Sequence, residues 1–469
     1  MTLGATAGAL SLQALTQSLR ERRTSAAQLT QAALVRIRAL EPKLHAFMHL
    51  DAEGAVARAQ DLDAQRAAGV DLGPLMGVPV AVKDLFSVDG MPTAAGSQVD
   101  VQDLVPRPGS FIAALQRAGC VILGKTRTTE FALGGLNLNQ APPWNPCDMR
   151  EPRMTGGSSH GSAVAMAAGL AGFTVGSDTG GSVRWPAALC GVVGYKASSR
   201  HWPCDGVFPL SPEMDSIGLF THSAHDAAWI QAAMAGQAPH PLPALTDLTL
   251  AVSSQHFLDE LDEPVQRCFD AAVSRLRAAG ARIINVEVPE AAEIDEIFRC
   301  LVPADLLAFL GRERVTAQLD RMDAVAAARL MAAFDVRAED YASLLARRRA
   351  LELVLAERSV GIDAWLAPTV PMLPEPVSGF RTVDDVSAWN RRATRNTRPG
   401  NLFGQCGISL PIQHLGAELA QNTTEAALPI GLQLCASPGQ DAALLSVACA
   451  VEQLLGLPIP PPDPLTSRT

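Results

Sequence analysis

Ser182 follows two glycines in the stretch TVGSDTGGSVRWPA, residues 174–187, and Arg184 stands two positions later. Glycine has no side chain, so a Gly-Gly-Ser sequence brings bare backbone N–H groups close to a ligand. Such a stretch suits a serine nucleophile beside donors for an oxyanion, a phosphate contact, or a tight turn. A phosphate loop of the GxxxxGK[ST] type needs a lysine that is missing here. The nucleophile and the turn stay open from these residues alone.

A second serine cluster, GSSHG at residues 157–161, matches the G-x-S-x-G pattern of a hydrolase nucleophile elbow. The elbow requires a strand directly before its serine. The preceding stretch, PPWNPCDMREPRMTGG, is rich in proline and polar residues and shows no strand pattern. The sequence therefore disfavours the elbow, although two such clusters so close together are unusual for plain turns.

Lys83 ends the stretch PLMGVPVAVKDLF, residues 74–86, whose valines predict a short buried strand. An acyl-transfer site needs a nucleophile, a proton acceptor and donors for the oxyanion. A neutral lysine can accept the proton where burial lowers its pKa, because desolvation disfavours the ammonium form. From these residues alone, Lys83 is either such a base or an ordinary surface lysine at the end of a strand.

Helical and strand patterns alternate along the chain. Residues 11–69 have the 3.6-residue period of helices, one of them capped by Thr24 or Ser25. Residues 110–126 and 264–289 each predict a helix that ends at Ala-Gly and leads into an apolar strand. Together with further strands from Leu248 and Asp363, this alternation predicts an α/β sheet with helices on both faces.

The chain is read as one large domain, residues 1–469, because no linker is long enough to divide it. Within it we expect a helical N-terminal region at about 8–69, a catalytic core at about 70–235 and a helical excursion at about 292–349.

Composition narrows the classes of protein to which the chain can belong. With 48% hydrophobic and 18% charged residues, the 469-residue chain can build a large core. A net charge of −10 with scattered basic residues argues against a nucleic-acid partner. Nine cysteines without a CxxC pair indicate reduced thiols, and no apolar stretch is long enough to span a bilayer. We therefore expect a cytoplasmic protein with no membrane association.

The stretch GGSSHGSAVAMAAGLAGFTVGSDTGGSVRWPAALCGVVGYK, residues 156–196, resembles the signature of the amidase signature family. GVPVAVKDLF, residues 77–86, resembles the segment that carries this family's catalytic lysine. Other stretches agree in the family's order, namely GKTRTTEFALGG (124–135), LAPTVP (366–371), NTRPGNLFGQCGISLP (396–411) and LPIGLQL (428–434). The resemblance covers nearly the whole chain and implies a single α/β domain with a large twisted mixed sheet between helices.

The resemblance also implies roles for particular residues. Ser182 would be the nucleophile, Ser158 a bridging serine after a cis Gly157–Ser158 peptide bond, and Lys83 the base. Neutral Lys83 would accept the proton of Ser158 while Ser158 accepts that of Ser182. No metal or organic cofactor is implied. The oxyanion hole would consist of the backbone N–H groups of Thr179, Gly180, Gly181 and Ser182.

Some positions depart from the family's usual signature, which has glycine where this chain has His160. His160 is expected either to line the substrate pocket or to face outward from the following helix. Ser159 is assigned to helix capping and to hydrogen bonding in the active site, and it is also a candidate substrate-pocket residue. Arg184 either holds a substrate carboxylate or forms an ion pair with a signature aspartate such as Asp178. Tyr195 is expected to pack in the core.

The function implied is hydrolysis of a small or medium carboxamide, with aryl amides, ureas and carbamates open to the same chemistry. The partner would be this small-molecule amide, and the chain a monomer or homodimer. Two alternatives are the glutaminase subunit of a tRNA-dependent amidotransferase and a catalytically silent binding protein. A partly apolar substrate pocket is expected from the stretches 201–215, 292–349 and 371–398. Its candidate residues are Trp202, Phe208, Phe298, Leu306, Leu307 and Phe309.

Overall fold

The Val-rich stretch before Lys83 forms a strand in which all five residues are buried. Strands buried on both faces are typical of a sheet that helices cover on each side. In the computed structural model, which describes residues 11–416 and 428–457, this strand belongs to one eleven-stranded sheet. The described strands are β1 Phe47–Leu50, β2 Pro79–Lys83, β3 Val121–Thr126, β4 Phe173–Asp178, β5 Val193–Lys196, β6 Ser216–Thr221, β7 Thr249–Val252, β8 Arg282–Asn285, β9 Ala364–Pro368, β10 Cys406–Pro411 and β11 Gly431–Ala436.

The sheet is mixed, and its order is β1-β3-β2-β4-β6-β5-β10-β11-β9-β7-β8. β2 pairs in parallel with β3 and β4. β7 likewise pairs in parallel with β8 and β9. Between these two groups, each strand in the run β4-β6-β5-β10-β11-β9 pairs antiparallel with the next. Two groups of three parallel strands, β3-β2-β4 and β9-β7-β8, are thus joined by antiparallel strands.

Side chains of β2 alternate between two apolar layers, which identifies the two faces of the sheet. Val80 and Val82 belong to one buried cluster, while Ala81 belongs to another that also contains the helices around residues 26–62 and 163–190. The described helices are α1 Leu12–Arg20, α2 Ala26–Leu44, α3 Ala52–Ala67, α4 Ser110–Arg117, α5 His160–Ala167, α6 Arg184–Cys190, α7 Ala224–Met234, α8 Glu263–Ala278, α9 Ile294–Leu310, α10 Arg312–Ala317, α11 Ala324–Ala333, α12 Ala338–Arg358, α13 Val383–Thr394, α14 Arg398–Leu402 and α15 Asp441–Leu455.

These elements confirm the predicted α/β fold of helices on both faces of a mixed sheet. The predicted helix–strand units appear as α4–β3 and α8–β8, and the strands expected from Leu248 and Asp363 are β7 and β9. Ser25, rather than Thr24, caps α2 through a capping box with Gln28. The helical reading of residues 11–69 missed β1, a four-residue strand that pairs antiparallel with β3. Residues 8–10 of the expected N-terminal region lie outside the described residues.

Four helices, α9 to α12, lie between β8 and β9 in the chain, where the helical excursion is expected. They begin at Ile294 and end at Arg358, so the helical segment extends beyond the expected end at Arg349. None of the described helices is long and apolar enough to cross a membrane. All nine cysteines are free thiols.

Candidate active site

Lys83 lies at the carboxyl end of β2, where the sheet edge meets the loop after β4. It shares the face of Ala81, on which α5 packs against β2 and β4. Because β2 and β4 are parallel neighbours, their carboxyl ends lie at the same edge of the sheet. Ligands of α/β sheets commonly bind at such an edge. The fold therefore brings Lys83 to the start of α5 and to the Gly-Gly-Ser loop.

The Lys83 ammonium group contacts two serine hydroxyls at this edge. Its Nζ lies 2.6 Å from Ser158 Oγ and 2.9 Å from Ser177 Oγ. Lys83 and Ser158 are each fully buried, and the peptide bond between Gly157 and Ser158 is cis. A side chain added at Gly157 would clash with the backbone of Gly135, so the chain requires glycine here. The predicted base and bridging serine are thus in direct contact.

Burial sets the protonation of Lys83. It lowers the pKa of the ammonium group to about 7, against the opposing charges of Asp215 and Asp178. Burial also raises the pKa of Asp215 to about 6, although Thr179 and two backbone N–H groups donate to its carboxylate. A substantial fraction of Lys83 is therefore neutral at physiological pH.

Asp84, the nearest charged residue in the sequence, does not pair with Lys83. Successive side chains of a strand point in opposite directions, and Asp84 instead lies 2.9 Å from the buried ammonium group of Lys125. The charges that Lys83 meets come from Asp178 and Asp215, far from it in the chain. Sequence reasoning missed this, because only the folded sheet places those carboxylates near the lysine.

Ser182 lies in the loop between β4 and α6, and Asp178 holds that loop in shape. The Asp178 carboxylate accepts hydrogen bonds from the backbone N–H groups of Gly181, at 2.8 Å, and Val183, at 3.0 Å. Gly181 has φ +122°, and a Cβ there would clash with the Thr397 hydroxyl. The loop is therefore a tight turn as well as the carrier of the serine.

The position of Ser182 suits a nucleophile. Its carbonyl oxygen accepts the N–H of Ser159 at 3.3 Å, which ties the loop to the residue after Ser158. Its side chain is half-buried and lines a cavity together with Gly180, Leu210 and Phe298. Among the described residues its hydroxyl makes no hydrogen bond, so its contact with Ser158 stays a prediction.

Four backbone donors were expected to form the oxyanion hole. The N–H of Gly181 already donates to Asp178 Oδ1, so this donor is engaged within the protein. The groups of Thr179, Gly180 and Ser182 remain as candidates. Thr397 Oγ1 donates to the Gly180 carbonyl at 2.8 Å and fixes the orientation of the peptide units around it.

Arg184 does not line the cavity as a substrate ligand, and this expectation is corrected in favour of its alternative. The side chain is fully buried and forms an ion pair with Asp178 at 3.0 Å. It also donates to Gln433 Oε1 at 2.7 Å and to Asn401 Oδ1 at 2.6 Å. Burial alone would raise the pKa of Asp178, but the charge and hydrogen bond of Arg184, together with Lys196 and Asn401, outweigh it and hold that pKa well below its usual range.

Neither Ser159 nor His160 is among the described residues that line the cavity beside Ser182. Ser159 stands at the N-cap of α5 without capping it, since its Oγ donates to the Ser177 carbonyl at 3.1 Å. His160 is 4% exposed and faces inward, contrary to the outward alternative. Burial, together with the charges of Lys83 and Arg127, lowers the pKa of His160 to about 3. His160 is therefore neutral at physiological pH.

Most of the apolar residues expected in the substrate pocket do not line the cavity beside Ser182. Of the six expected, Phe298 lines the cavity beside Ser182. Phe208 stacks on Phe131 and meets Phe309 edge-on, Trp202 packs at a tilt against Phe111, and Leu306 and Leu307 are buried in the core. Sequence reasoning missed the polar lining formed by Arg329, Asn390 and Arg398. In the sequence of a helical segment, polar residues that face a cavity have the same spacing as polar residues that face solvent.

Tyr195 packs in the core as expected, fully buried, with its hydroxyl donating to Asp441 at 2.6 Å. Within residues 11–416 and 428–457, no group of three or more His, Cys, Asp or Glu side chains is placed to hold a metal ion.

Comparison with known proteins identifies the family of this chain. The family model described as Amidase matches residues 28–445. The chain belongs to the amidase family. It is 35% identical over 455 residues to the 2-amino-5-chloromuconic acid deaminase of Comamonas testosteroni, covering 95% of this chain and 96% of that protein.

Two further relatives extend the comparison. A glutamyl-tRNA(Gln) amidotransferase subunit of Salinispora tropica is 32% identical, with 94% of this chain and 96% of that protein covered. A crystal structure of an amidase superposes with a TM-score of 0.84 at 30% identity, covering 95% of this chain and all of that one. The chain is accordingly an amidase, a hydrolase that acts on C–N bonds.

Replacing Arg184 with lysine should destabilise the fold, because an ammonium group cannot reproduce the forked contacts to Asp178, Asn401 and Gln433. The expected loss is about 3 kcal/mol in the free energy of urea unfolding. Arg58→Lys, in an exposed pair with Asp61, is the control and should cost less than about 1 kcal/mol. An unchanged stability with a raised KM would instead mean that Arg184 binds substrate.

Proposed function

We propose that this amidase hydrolyses a small carboxamide through an acyl-enzyme on Ser182, with Ser158 and Lys83 as the proton relay. The observation that supports this most strongly is the 2.6 Å contact between Lys83 Nζ and Ser158 Oγ, made by two fully buried side chains. A buried lysine beside a buried hydroxyl is poised to exchange a proton rather than to form a salt bridge.

In the first step, neutral Lys83 accepts the proton of Ser158, which accepts that of Ser182 as Ser182 Oγ attacks the carbonyl carbon. The developing oxyanion is stabilised by backbone N–H groups of Thr179, Gly180 and Ser182. The same relay in reverse protonates the leaving nitrogen, and the C–N bond breaks. Water then attacks the acyl-enzyme and its proton passes through Ser158 to Lys83. The bond to Ser182 Oγ breaks, the proton returns through Ser158 to that oxygen, and the acid is released.

Support for a small, hydrolysed substrate comes from the relative named as a deaminase of an amino-chloromuconic acid, which is a small molecule. Aryl amides, ureas and carbamates are open to the same attack. We further propose that the chain acts in the cytoplasm as a monomer or homodimer and without nucleic acid, which its net charge of −10 supports.

The alternative function is that of a glutaminase subunit, which the amidotransferase relatives favour. Glutamine carries an ammonium group, and binding it normally requires an acidic partner. Of the described residues that line the cavity beside Ser182, none is acidic. The purified chain alone should therefore hydrolyse neutral or acidic amides without partner subunits and should show no preference for glutamine. Turnover of glutamine that appears only with partner subunits would favour the alternative.

Ser182→Ala should abolish turnover, because it removes the attacking atom and little volume. Ser158→Ala should lower kcat by about a thousandfold or more, and adding Lys83→Ala to it should cost little more, since relay members act as one unit. A fluorophosphonate should label Ser182, as shown by peptide mapping. Ser159→Ala is the matched control and should retain the adduct and most activity. An adduct on Ser159 would contradict the assignment.

Because Lys83 must be neutral to accept a proton, kcat/KM should rise with pH through neutrality and then level off. The midpoint of this rise should follow the pKa of about 7 that burial gives Lys83. Lys83→Arg should be inactive, since a guanidinium does not deprotonate in this range. The measurement is kcat/KM against pH for the wild type and the variant.

Two further variants show which residue's ionisation causes the rise of kcat/KM with pH, called the limb below. His160→Gln should leave it in place, because the pKa of His160 lies near 3. Asp215→Asn should move it to lower pH, because the Asp215 charge raises the pKa of Lys83. A limb that vanishes in Asp215→Asn would belong to Asp215, and one that vanishes in His160→Gln would belong to the histidine. Either result would contradict Lys83 as the base.

A further inference from the structure

The cavity beside Ser182 is lined by hydrogen-bond donors that the protein itself does not satisfy. Arg329 on α11 reaches it, and among the described residues its guanidinium has no hydrogen bond or ion pair. Its Nη1 lies near Gly134, where a Cβ would be 3.6 Å away. An unpaired guanidinium in a half-buried position is costly, because nothing replaces the water that it loses.

Asn390 on α13 adds a second unsatisfied donor. Its side chain is 1% exposed, and its Oδ1 accepts the N–H of Gly135 at 3.1 Å, which fixes the amide orientation. Its Nδ2 is buried and has no partner. This nitrogen lies close to the same Gly134 position as the Arg329 guanidinium. Two free donors from different helices therefore meet at one wall of the cavity.

Arg398 supplies a second positive charge, held in place from outside the cavity. Its Nη1 donates to Asp295 at 2.5 Å, and its guanidinium stacks 4.5 Å from the ring centre of Phe298. Its Nε is buried without a partner. Asp295 is shared with Arg299, which lies 2.9 Å from its other carboxylate oxygen, so a net positive charge remains in the cavity. Burial lowers the pKa of Arg329 and of Arg398 to about 10, so both are charged at neutral pH.

Resting on the proposed function, we propose that this amidase selects substrates that carry a carboxylate close to the scissile amide. Arg329 and Asn390 bind that carboxylate, and Arg398 adds to the positive field. A carboxylate offers acceptors for both free donors and neutralises the remaining charge, whereas a neutral amide leaves the guanidinium unpaired. Monoamides of short dicarboxylic acids have this chemistry, with the acid a few bonds from the carbonyl that Ser182 attacks.

The test measures binding rather than turnover, in the full-length Ser182→Ala chain that leaves substrates intact. Isothermal calorimetry compares succinamate, the monoamide of succinic acid, with succinamide, its neutral diamide. Succinamate should bind about ten- to a hundredfold more tightly, the range expected for hydrogen bonds to a charged group. Adding Arg329→Gln should remove this preference and leave succinamide binding unchanged.

Arg391→Gln is the matched control, because Arg391 is exposed on the same helix as Asn390 and its replacement removes the same charge outside the cavity. It should keep the preference for succinamate. Equal affinity for the two amides, no measurable binding of succinamate, or an equal loss in Arg391→Gln and Arg329→Gln would overturn the inference. Fluorophosphonate labelling of Ser182 in the otherwise wild-type chain is independent of substrate charge. If Ser182 is labelled but succinamate and succinamide bind equally, only the carboxylate site is rejected. If Ser182 is not labelled, the proposed function is rejected.

Discussion

The ion pair between Asp178 and Arg184, sealed from solvent, determines the shape of the loop that carries Ser182. Asp178 ends a central strand and Arg184 begins the following helix, so the pair spans the whole loop. The same carboxylate accepts backbone N–H groups of the loop and contributes to the charge around Lys83. Because the pair is fully desolvated, removing either partner leaves a buried charge, and the loop geometry depends on both.

Around this pair, the chemistry of the site follows from competition between burial and charge. Burial disfavours the ammonium form of Lys83, while Asp178 and Asp215 favour it, and the balance leaves its pKa near neutrality. Arg184 largely neutralises Asp178, so Asp215 is the carboxylate with more influence on the lysine. The separate pair of Asp84 and Lys125 removes the other nearby carboxylate from the balance. A base poised at physiological pH thus needs two ion pairs that take no part in the reaction.

Short sequence patterns predicted the features that depend only on neighbouring residues, namely strands and helix ends. The valines before Lys83 predicted a buried strand, and the Ala-Gly signals after residues 117 and 278 marked real helix ends. The role of Arg184 could not be decided locally, because its partners Asn401 and Gln433 lie 217 and 249 positions away. β1 was missed since its four residues gain their order only by pairing with β3. Arg329 and Asn390 carried no signal, because a helical pattern does not show which polar face meets a cavity.

The distribution of the cavity residues along the chain has a consequence for how the protein diversifies. The reacting groups proposed here all lie between residues 83 and 182, whereas Phe298, Arg329 and Arg398 come from one later segment. Substitutions at Phe298, Arg329 and Arg398 alter which molecule is admitted without replacing the base, the bridging serine or Thr397, which holds the loop. Substrate choice and bond cleavage are therefore encoded by separate parts of the chain, and the first can change while the residues of the second stay the same.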